Sequence, residues 1–577
     1  MEISRLFPLK WLAPASLLVA GLAIYLPAMG LMPLIRAEAM YALIPQEMLA
    51  PGHWLTPTLN GTHYLDKPPL LYWLTLAAYK IFGVSDTVAR LPILVLTLGE
   101  IWLTYLIGLR LLGRRAAWLG GFILLSSVGF FALHLQILTD HLITVTLLAA
   151  LYFLLRWQEH PAFRWAGLFH LALMAGFLSK GFIGIVFPVL IGGLYAWLMR
   201  QQRLPSLLFS PKGLIIVFLL AVPWFVAAEQ ANPGLFKAQI INEQILRFVG
   251  HRQPPDTNPF SISGFWLFLG LWMMPWTVLL PEGLYRFWRE TASGEPEVRR
   301  RRLLLIWAVV IMVFFTLSSS RIEYYSLPAL PALALILGWR LDRYFQSPRD
   351  RGLSVALIAI AGLGLAMMVL LPRLEAVCGD NRREFIGMFE LIEPIAGPAS
   401  YAIPAMALLG ILAGWRFPRV NVASYLILSL LLIFFTFETL STLSPHLSDQ
   451  LPGQYLLKHA GPDDLVVMES IEEFEYGASL AFYARRHILM VQRGGFPQFP
   501  YPVPAEQNYL ITPERLKELW EGPRRVYLLV DDATPPTEPY LRRARVALVS
   551  QGKRLLVNQP ADFRLKASRF EMLVSLK

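Results

Sequence analysis

The side chains able to do chemistry in this sequence come in short groups set among apolar stretches. Arg36, Glu38 and Tyr41 form one, and Tyr64, Asp66 and Lys67 a second. Asp140 and Lys180 stand singly, each at the edge of an apolar run. Glu229, Glu243, Arg247, His251 and Arg252 follow, then Arg321, Glu323, Tyr324 and Tyr325. Lysine and arginine can hold a phosphate, arginine with two parallel hydrogen bonds. A carboxylate beside them can take the proton of an attacking hydroxyl. Each residue also has a plainer reading. Asp140 could cap the helix that follows, as could Thr139. Lys67 could snorkel to headgroups, and Glu243 with Arg247 could be a solvated i,i+4 pair. His251 reads as an interfacial side chain rather than a metal ligand. The tyrosines fit an aromatic belt. Singly these signals are weak; what argues for function is that the groups converge.

Convergence follows from the elements that carry them. Of the 577 residues 55% are hydrophobic and 16% charged, with mean hydropathy +0.50. A soluble protein has about 25% charged and about 45–50% apolar residues. A soluble enzyme, a disordered chain and a nucleic-acid-binding module are therefore excluded. A bilayer crossing needs about 20 mainly apolar residues. Candidates fall near 11–34, 89–109, 116–133, 141–155, 165–179, 181–199, 213–228, 264–284, 303–318, 328–341, 353–371, 399–415 and 420–440. The expectation is a polytopic α-helical membrane protein of about 13 transmembrane helices. The first, about 24 residues long, is longer than a signal-peptide core and reads as a retained anchor.

Placing the N-terminus inside puts 22 Lys and Arg in short cytoplasmic connections against 12 on the other side. That is the positive-inside pattern. It accounts for the net charge of +11 without an acidic partner or nucleic acid. With that orientation every group named above lies on the outer face. Such charges are costly at membrane depth and usually functional. A transporter would more often hold them at the midplane, whereas an outer cavity of both signs suits chemistry on an anionic lipid headgroup. The first outer loop, 35–88, has helical apolar spacing over 38–50 and 69–82, as expected of helices lying in the interface plane. Residues 1–440 read as the membrane domain. From 441 to 577 the charge is balanced, 17 basic against 16 acidic, and the apolar runs are short and β-branched. Leu465–Met468, His487–Val491 and Val526–Val530 read as buried strands, and Pro513–Trp520 as a helix capped by Thr512. The expectation there is a small extracytoplasmic α/β domain. The single cysteine, Cys378, excludes an intrachain disulfide and a cysteine-built metal site.

One series of residues is specific. It runs Met40-Tyr41-Ala42, Glu47-Met48, Gly52-His53-Trp54-Leu55-Thr56-Pro57, Leu59-Asn60-Gly61 and Tyr64-Leu65-Asp66-Lys67-Pro68-Pro69-Leu70. This closely resembles the first outer loop of bacterial aminoarabinose-type lipid A transferases, which group with protein O-mannosyltransferases among the GT-C membrane glycosyltransferases. Leu138-Thr139-Asp140, Ser179-Lys180-Gly181, Pro223-Trp224, Asn232-Pro233-Gly234, Asn242-Glu243, Arg247-Phe248, Pro275-Trp276 and Ser320-Arg321 with Tyr325 continue the resemblance in order. It covers residues 1–345 well and the rest by architecture.

The resemblance implies an inverting transfer of a sugar from a polyprenyl (undecaprenyl) phosphate to an envelope acceptor, lipid A first. The setting would be the bacterial inner membrane, with active site and C-terminal domain on the periplasmic side. Lys67, Arg247 and Lys180 would stabilise the phosphate that leaves. Asp140 would act as base or position the sugar, and Tyr41, Tyr64, Asp66, Glu243, Arg321 and Tyr325 would line the cavity. An apolar groove would take the lipid chain. Where the family writes Asp-Glu this chain has Ala37-Glu38, so either Glu38 substitutes as the catalytic carboxylate or the base lies elsewhere. Glu243-Gln244 replaces Glu-His, so Asp66 and Glu243 make a poor site for a divalent metal. Where relatives have Lys-Leu-Pro, the chain has Arg321-Ile322-Glu323. Other readings are transfer to protein or a surface glycan, and a lipid-linked sugar transporter or scaffold.

Overall fold

The computed structural model describes residues 12–50, 54–64, 66–253, 260–293, 295–346, 352–370, 382–416, 419–469, 477–492, 509–531, 538–542 and 544–558. Gly52, His53, Leu65, Cys378, and Arg5 and Lys10 of the positive-inside count lie outside these. The chain is a helical bundle bearing a mixed β-sheet in its C-terminal part. Its first nine helices are α1 (Leu12–Met29), α2 (Arg36–Glu47), α3 (Leu70–Phe82), α4 (Asp86–Leu111), α5 (Arg114–Leu125), α6 (Val128–His134), α7 (Thr139–Glu159), α8 (Phe163–Lys180) and α9 (Ile183–Leu198).

Among the described residues, six helices are long and apolar enough to cross a membrane by length and composition. Two bent pairs raise that number to as many as eight. The helix over residues 211–231 displays Leu214, Ile215, Phe218 and Leu219 to the outside. A helix apolar on all sides yet exposed is one solvated by lipid. Two candidate segments are not straight. Residues 116–133 break into α5 and α6 at Ser126-Ser127 with a 60° bend. Residues 264–284 break between Trp272 and Trp276 with a 104° bend. At the first break Ser126 Oγ accepts from Trp276 Nε1 at 3.1 Å, so each bend braces the other.

Small residues let the inner helices approach. A Cβ on Gly338 would lie 2.4 Å from the backbone nitrogen of Gly120, and one on Gly120 would lie 3.0 Å from Leu335 Cα. In lipid, such close backbone packing is what holds neighbouring helices together, because burying apolar surface gains little there.

The first loop is folded tightly. β1 (Thr58–Leu59) and β2 (Thr62–His63) form a hairpin through Asn60-Gly61. Both turn residues have positive φ, 53° and 77°, the geometry Asn-Gly favours in a two-residue turn. α2 is buried over Ala39–Ile44, so it is not the interfacial helix its spacing suggests. Its apolar residues face the bundle on one side and the helix Ala478–Ala484 on the other.

The C-terminal sheet contains β3 (Leu465–Glu469), β4 (Leu489–Val491), β5 (Leu510–Ile511), β6 (Val526–Asp531), β7 (Arg545–Ser550) and β8 (Lys553–Val557). Their order is β5-β4-β3-β6-β8-β7, parallel among β5, β4, β3 and β6 and antiparallel thereafter. Thr512 caps the helix Pro513–Glu521 by accepting from Arg515 N. The sheet is tied to the first loop. Asn60 donates to Ile488 O at 2.7 Å and accepts from Ile488 N at 2.9 Å. Tyr483 accepts from Leu34 N and donates to Asp86.

Candidate active site

Glu243 is the hub of the charged groups. It lies on a π-helical segment, Lys237–Leu246, whose wide winding turns Gln239, Asn242 and Glu243 inward together. Such segments recur at functional sites. Its carboxylate, 1% exposed, meets Lys67 Nζ at 2.8 Å and Arg247 Nη1 at 3.0 Å on one oxygen, and Arg252 Nε on the other. This is a buried network rather than a solvated i,i+4 pair. Burial alone would raise the Glu243 carboxyl, but Lys67, Arg252 and Arg247 hold it well below the usual carboxylate range.

Four further bonds fix the cations. Gln239 donates to the backbone oxygen of Lys67 at 3.1 Å, and Arg247 Nε donates to Ser320 Oγ at 3.1 Å. Asn242 grips Gln253 at both main-chain atoms, which folds Arg252 back onto the hub. Asp66 faces Arg252 at 3.4 Å. Desolvation, then repulsion from Glu243, raise its carboxyl to about 6 against the pull of Lys67, Arg252 and Arg247.

Beside this hub stands a second pair. Lys180 ends α8, and its ammonium lies 2.7 and 2.8 Å from the two oxygens of Asp140 in the first turn of α7. Asp140 is therefore no N-cap: Leu138 holds that position, without a side-chain cap. The Tyr325 ring lies 4.4 Å from the same ammonium, a cation–π contact. Arg247 and Glu243 are within electrostatic range of Lys180, which joins the two sets into one site. Four cations there face three carboxylates, a surplus of positive charge suited to an anionic substrate.

The other candidates are placed differently. Tyr41 is buried and stacks on Tyr72 at 6.2 Å, and Tyr64 packs half-buried on the main core. Arg321 donates to the main-chain oxygens of Phe260, Thr316 and Ser318, bracing the loop that leads to Tyr325. His251 is exposed. Glu38 has both oxygens taken by Arg90, at 2.6 and 2.7 Å, while Arg90 also donates to the carbonyls of Met29, Met32 and Pro33. That pair, 2% exposed on each side, fixes where the first loop leaves α1. Sequence reasoning missed Arg90 and Gln239, and named Ser320 only within the Ser320-Arg321 match. A charge inside an apolar span was the available signal for Arg90; nothing in spacing points to Gln239.

An apolar groove of about 440 Å³ opens between α8, α9 and the helix over residues 211–231. Phe177 and Phe182, on either side of Lys180, belong to its wall along with Ile185, Leu214 and Phe218.

Residues 66–226 match the model of the family described as dolichyl-phosphate-mannose-protein mannosyltransferase. A relative from Pseudomonas fluorescens, undecaprenyl phosphate-alpha-4-amino-4-deoxy-L-arabinose arabinosyl transferase 1, is 30% identical over 66% of this chain and 70% of its own length. The chain belongs to this arabinosyl transferase family. A second arabinosyl transferase, from Edwardsiella ictaluri, is 27% identical over 89% of this chain and 93% of its own. The fold agrees. The crystal structure of ArnT from Cupriavidus metallidurans, bound to undecaprenyl phosphate, superposes with a TM-score of 0.79 at 22% identity, covering 95% of this chain and 98% of that one. The helical GT-C membrane architecture expected from the first-loop motif is therefore that of this chain.

Proposed function

We propose that this chain is an integral-membrane inverting glycosyltransferase that moves a sugar from undecaprenyl phosphate to an envelope acceptor, with lipid A as that acceptor. The observation that carries the reading is the hub itself: Lys67, Arg247 and Arg252 gathered on one buried carboxylate, beside the Lys180–Asp140 pair. The relatives, named as undecaprenyl phosphate-dependent arabinosyl transferases, supply the donor class.

In this reading the donor phosphate draws Lys67 and Arg247 away from Glu243, with Lys180 next to them. The bond between the anomeric carbon and the phosphate oxygen breaks as an acceptor oxygen bonds that carbon from the opposite face. The leaving polyprenyl phosphate keeps the electron pair, and preorganised cations stabilise its growing charge. Asp140 takes an acceptor proton or holds the sugar. Glu38, with both oxygens engaged by Arg90, positions the loop instead of serving as base. Tyr41, Tyr64 and Tyr325 line the cavity, Arg321 braces its wall, and the groove beside Phe177 and Phe182 receives the polyprenyl chain.

The same reading has thirteen crossings with the N-terminus inside, residues 1–440 as membrane domain and 441–577 as a soluble domain on the periplasmic side. The bonds from Asn60 to Ile488 and from Tyr483 to Asp86 support it, since they require the first loop and the C-terminal sheet to share one side of a membrane. The deciding experiment is mass spectrometry of lipids that co-purify with wild type and with Lys67→Ala. Polyprenyl phosphate present in wild type and depleted in the variant is the expected result. Bulk phospholipid alone in both would remove the donor-site assignment.

A further inference from the structure

Away from the outer cluster, three side chains converge inside the bundle with no donor between them. Glu100 lies in the middle of α4, His134 at the end of α6 and His141 in the first turn of α7, and all three are fully buried. Main-chain carbonyls fix both imidazole tautomers. His134 Nδ1 lies 2.7 Å from Phe130 O, so that nitrogen carries the proton and Nε2 is left as a lone pair. His141 Nε2 lies 3.1 and 3.2 Å from the oxygens of Leu133 and Gln136, which leaves Nδ1 as the lone pair. Those two lone pairs point at Glu100. Its Oε1 is 3.2 Å from His134 Nε2 and 3.9 Å from His141 Nδ1. Among the described residues, neither Glu100 oxygen, nor either of those nitrogens, has a hydrogen-bond partner.

Three buried acceptors facing one another repel unless a positive charge lies between them. One ligand atom from each residue falls within 4.8 Å of the others. Ligand bonds of about 2.0–2.2 Å at a tetrahedral angle place ligand atoms about 3.3–3.5 Å apart. The 3.2 Å edge is close to that distance, and the 3.9 Å edge is slightly longer. The donor–acceptor pattern also matches how metal-bound histidines are held, with the second ring nitrogen on a carbonyl.

We infer that Glu100, His134 and His141 bind a divalent transition-metal ion of the zinc class. Imidazole and carboxylate together suit such an ion. Tyr25, whose buried hydroxyl is also unpartnered, stands within electrostatic reach of Glu100 and faces this cluster. The ion clamps α4, α6 and α7 at the bend that follows α5. His141 is next in sequence to Asp140, so the clamp sets the first turn of α7 and with it the carboxylate presented to Lys180. The role is positional, and the site is separate from the Asp66–Glu243 cluster.

The test is elemental analysis of the full-length protein purified without chelator, alongside Glu100→Gln and His134→Phe. Wild type should carry about one zinc per chain, and both variants less than a tenth of that; Asp66→Asn should keep its metal. After chelation, wild type should lose thermal stability and then regain it with Zn²⁺, and Co²⁺ should give the visible bands of a low-coordinate nitrogen–oxygen site. If the variants do not fold, the cobalt spectrum of wild type decides. Wild type that holds no zinc and binds no Co²⁺ overturns the inference and leaves a proton shared among the three groups. Metal retained in folded Glu100→Gln and His134→Phe overturns it equally.

Discussion

Asp66 carries a charge that answers to pH in the working range. Its carboxyl, raised to about 6 by burial and by Glu243, is neutral below that pH and ionised above it. Protonation removes a negative charge beside Lys67 and Arg252, so capture of an anionic lipid should tighten as pH falls through 6. One charge at this range is worth about 1 kcal/mol, or roughly fivefold in affinity. Titrating a polyprenyl phosphodiester, whose single charge is constant in this range, against wild type and Asp66→Asn should show that step in the first and a flat profile in the second. The stability sign follows the same shift. A folded-state value above the unfolded one favours the fold at low pH, and that contribution is lost as pH rises through 6. Asp66→Asn should therefore raise the melting temperature above pH 6 and leave it unchanged well below the unfolded value. On the proposed function, Asp140 separates binding from transfer. Asp140→Asn should keep the co-purifying lipid yet cut sugar transfer by about 10²–10⁴-fold, read in reconstituted vesicles. A transporter or scaffold would show no such loss.

At the scale of elements, the sharpest expectation concerns the junction of α1, α2 and α4. Arg90 makes five hydrogen bonds there, two to Glu38 and three to carbonyls. Arg90→Met leaves Glu38 as a buried unpaired charge and should cost about 3–5 kcal/mol. Adding Glu38→Gln should recover part of that loss, because the orphan charge is gone. Thermal unfolding in detergent measures both. The residue types at this junction were plain in the sequence, but their pairing was not, since Glu38 and Arg90 are 52 positions apart and no periodicity links them. The bends were hidden for a different reason. Hydropathy records how an apolar run partitions into lipid, not its direction, so 116–133 and 264–284 read as straight spans. The strands β3, β4 and β6 and the Pro513 helix were legible because their signals are local: β-branched runs and a Thr512 cap. The Glu100–His134–His141 cluster had a signal too, an acid within an apolar span, but its partners sit on two other helices.

For the molecule as a whole, the first loop and the C-terminal sheet behave as one body through the Asn60-Gly61 turn. A methyl group on Gly61 would sit 2.8 Å from His487 Cε1 at a φ of +77°, both unfavourable. Gly61→Ala should loosen this seam, seen as at least tenfold faster hydrogen exchange at Ile488, and should weaken polyprenyl-phosphate capture because Lys67 follows the hairpin closely. An unchanged exchange rate would mean that the two parts hold together without the turn. The seam also sets a schedule for synthesis. Asn60 and its partner Ile488 are 428 residues apart, and ribosomes add about 5–20 residues per second. The loop bearing Lys67 therefore spends roughly 20–85 s without the segment that seats it. On the proposed function, a chain that has not yet reached Ile488 leaves that loop unseated, so sugar transfer waits on a segment far downstream of the residues that hold the donor.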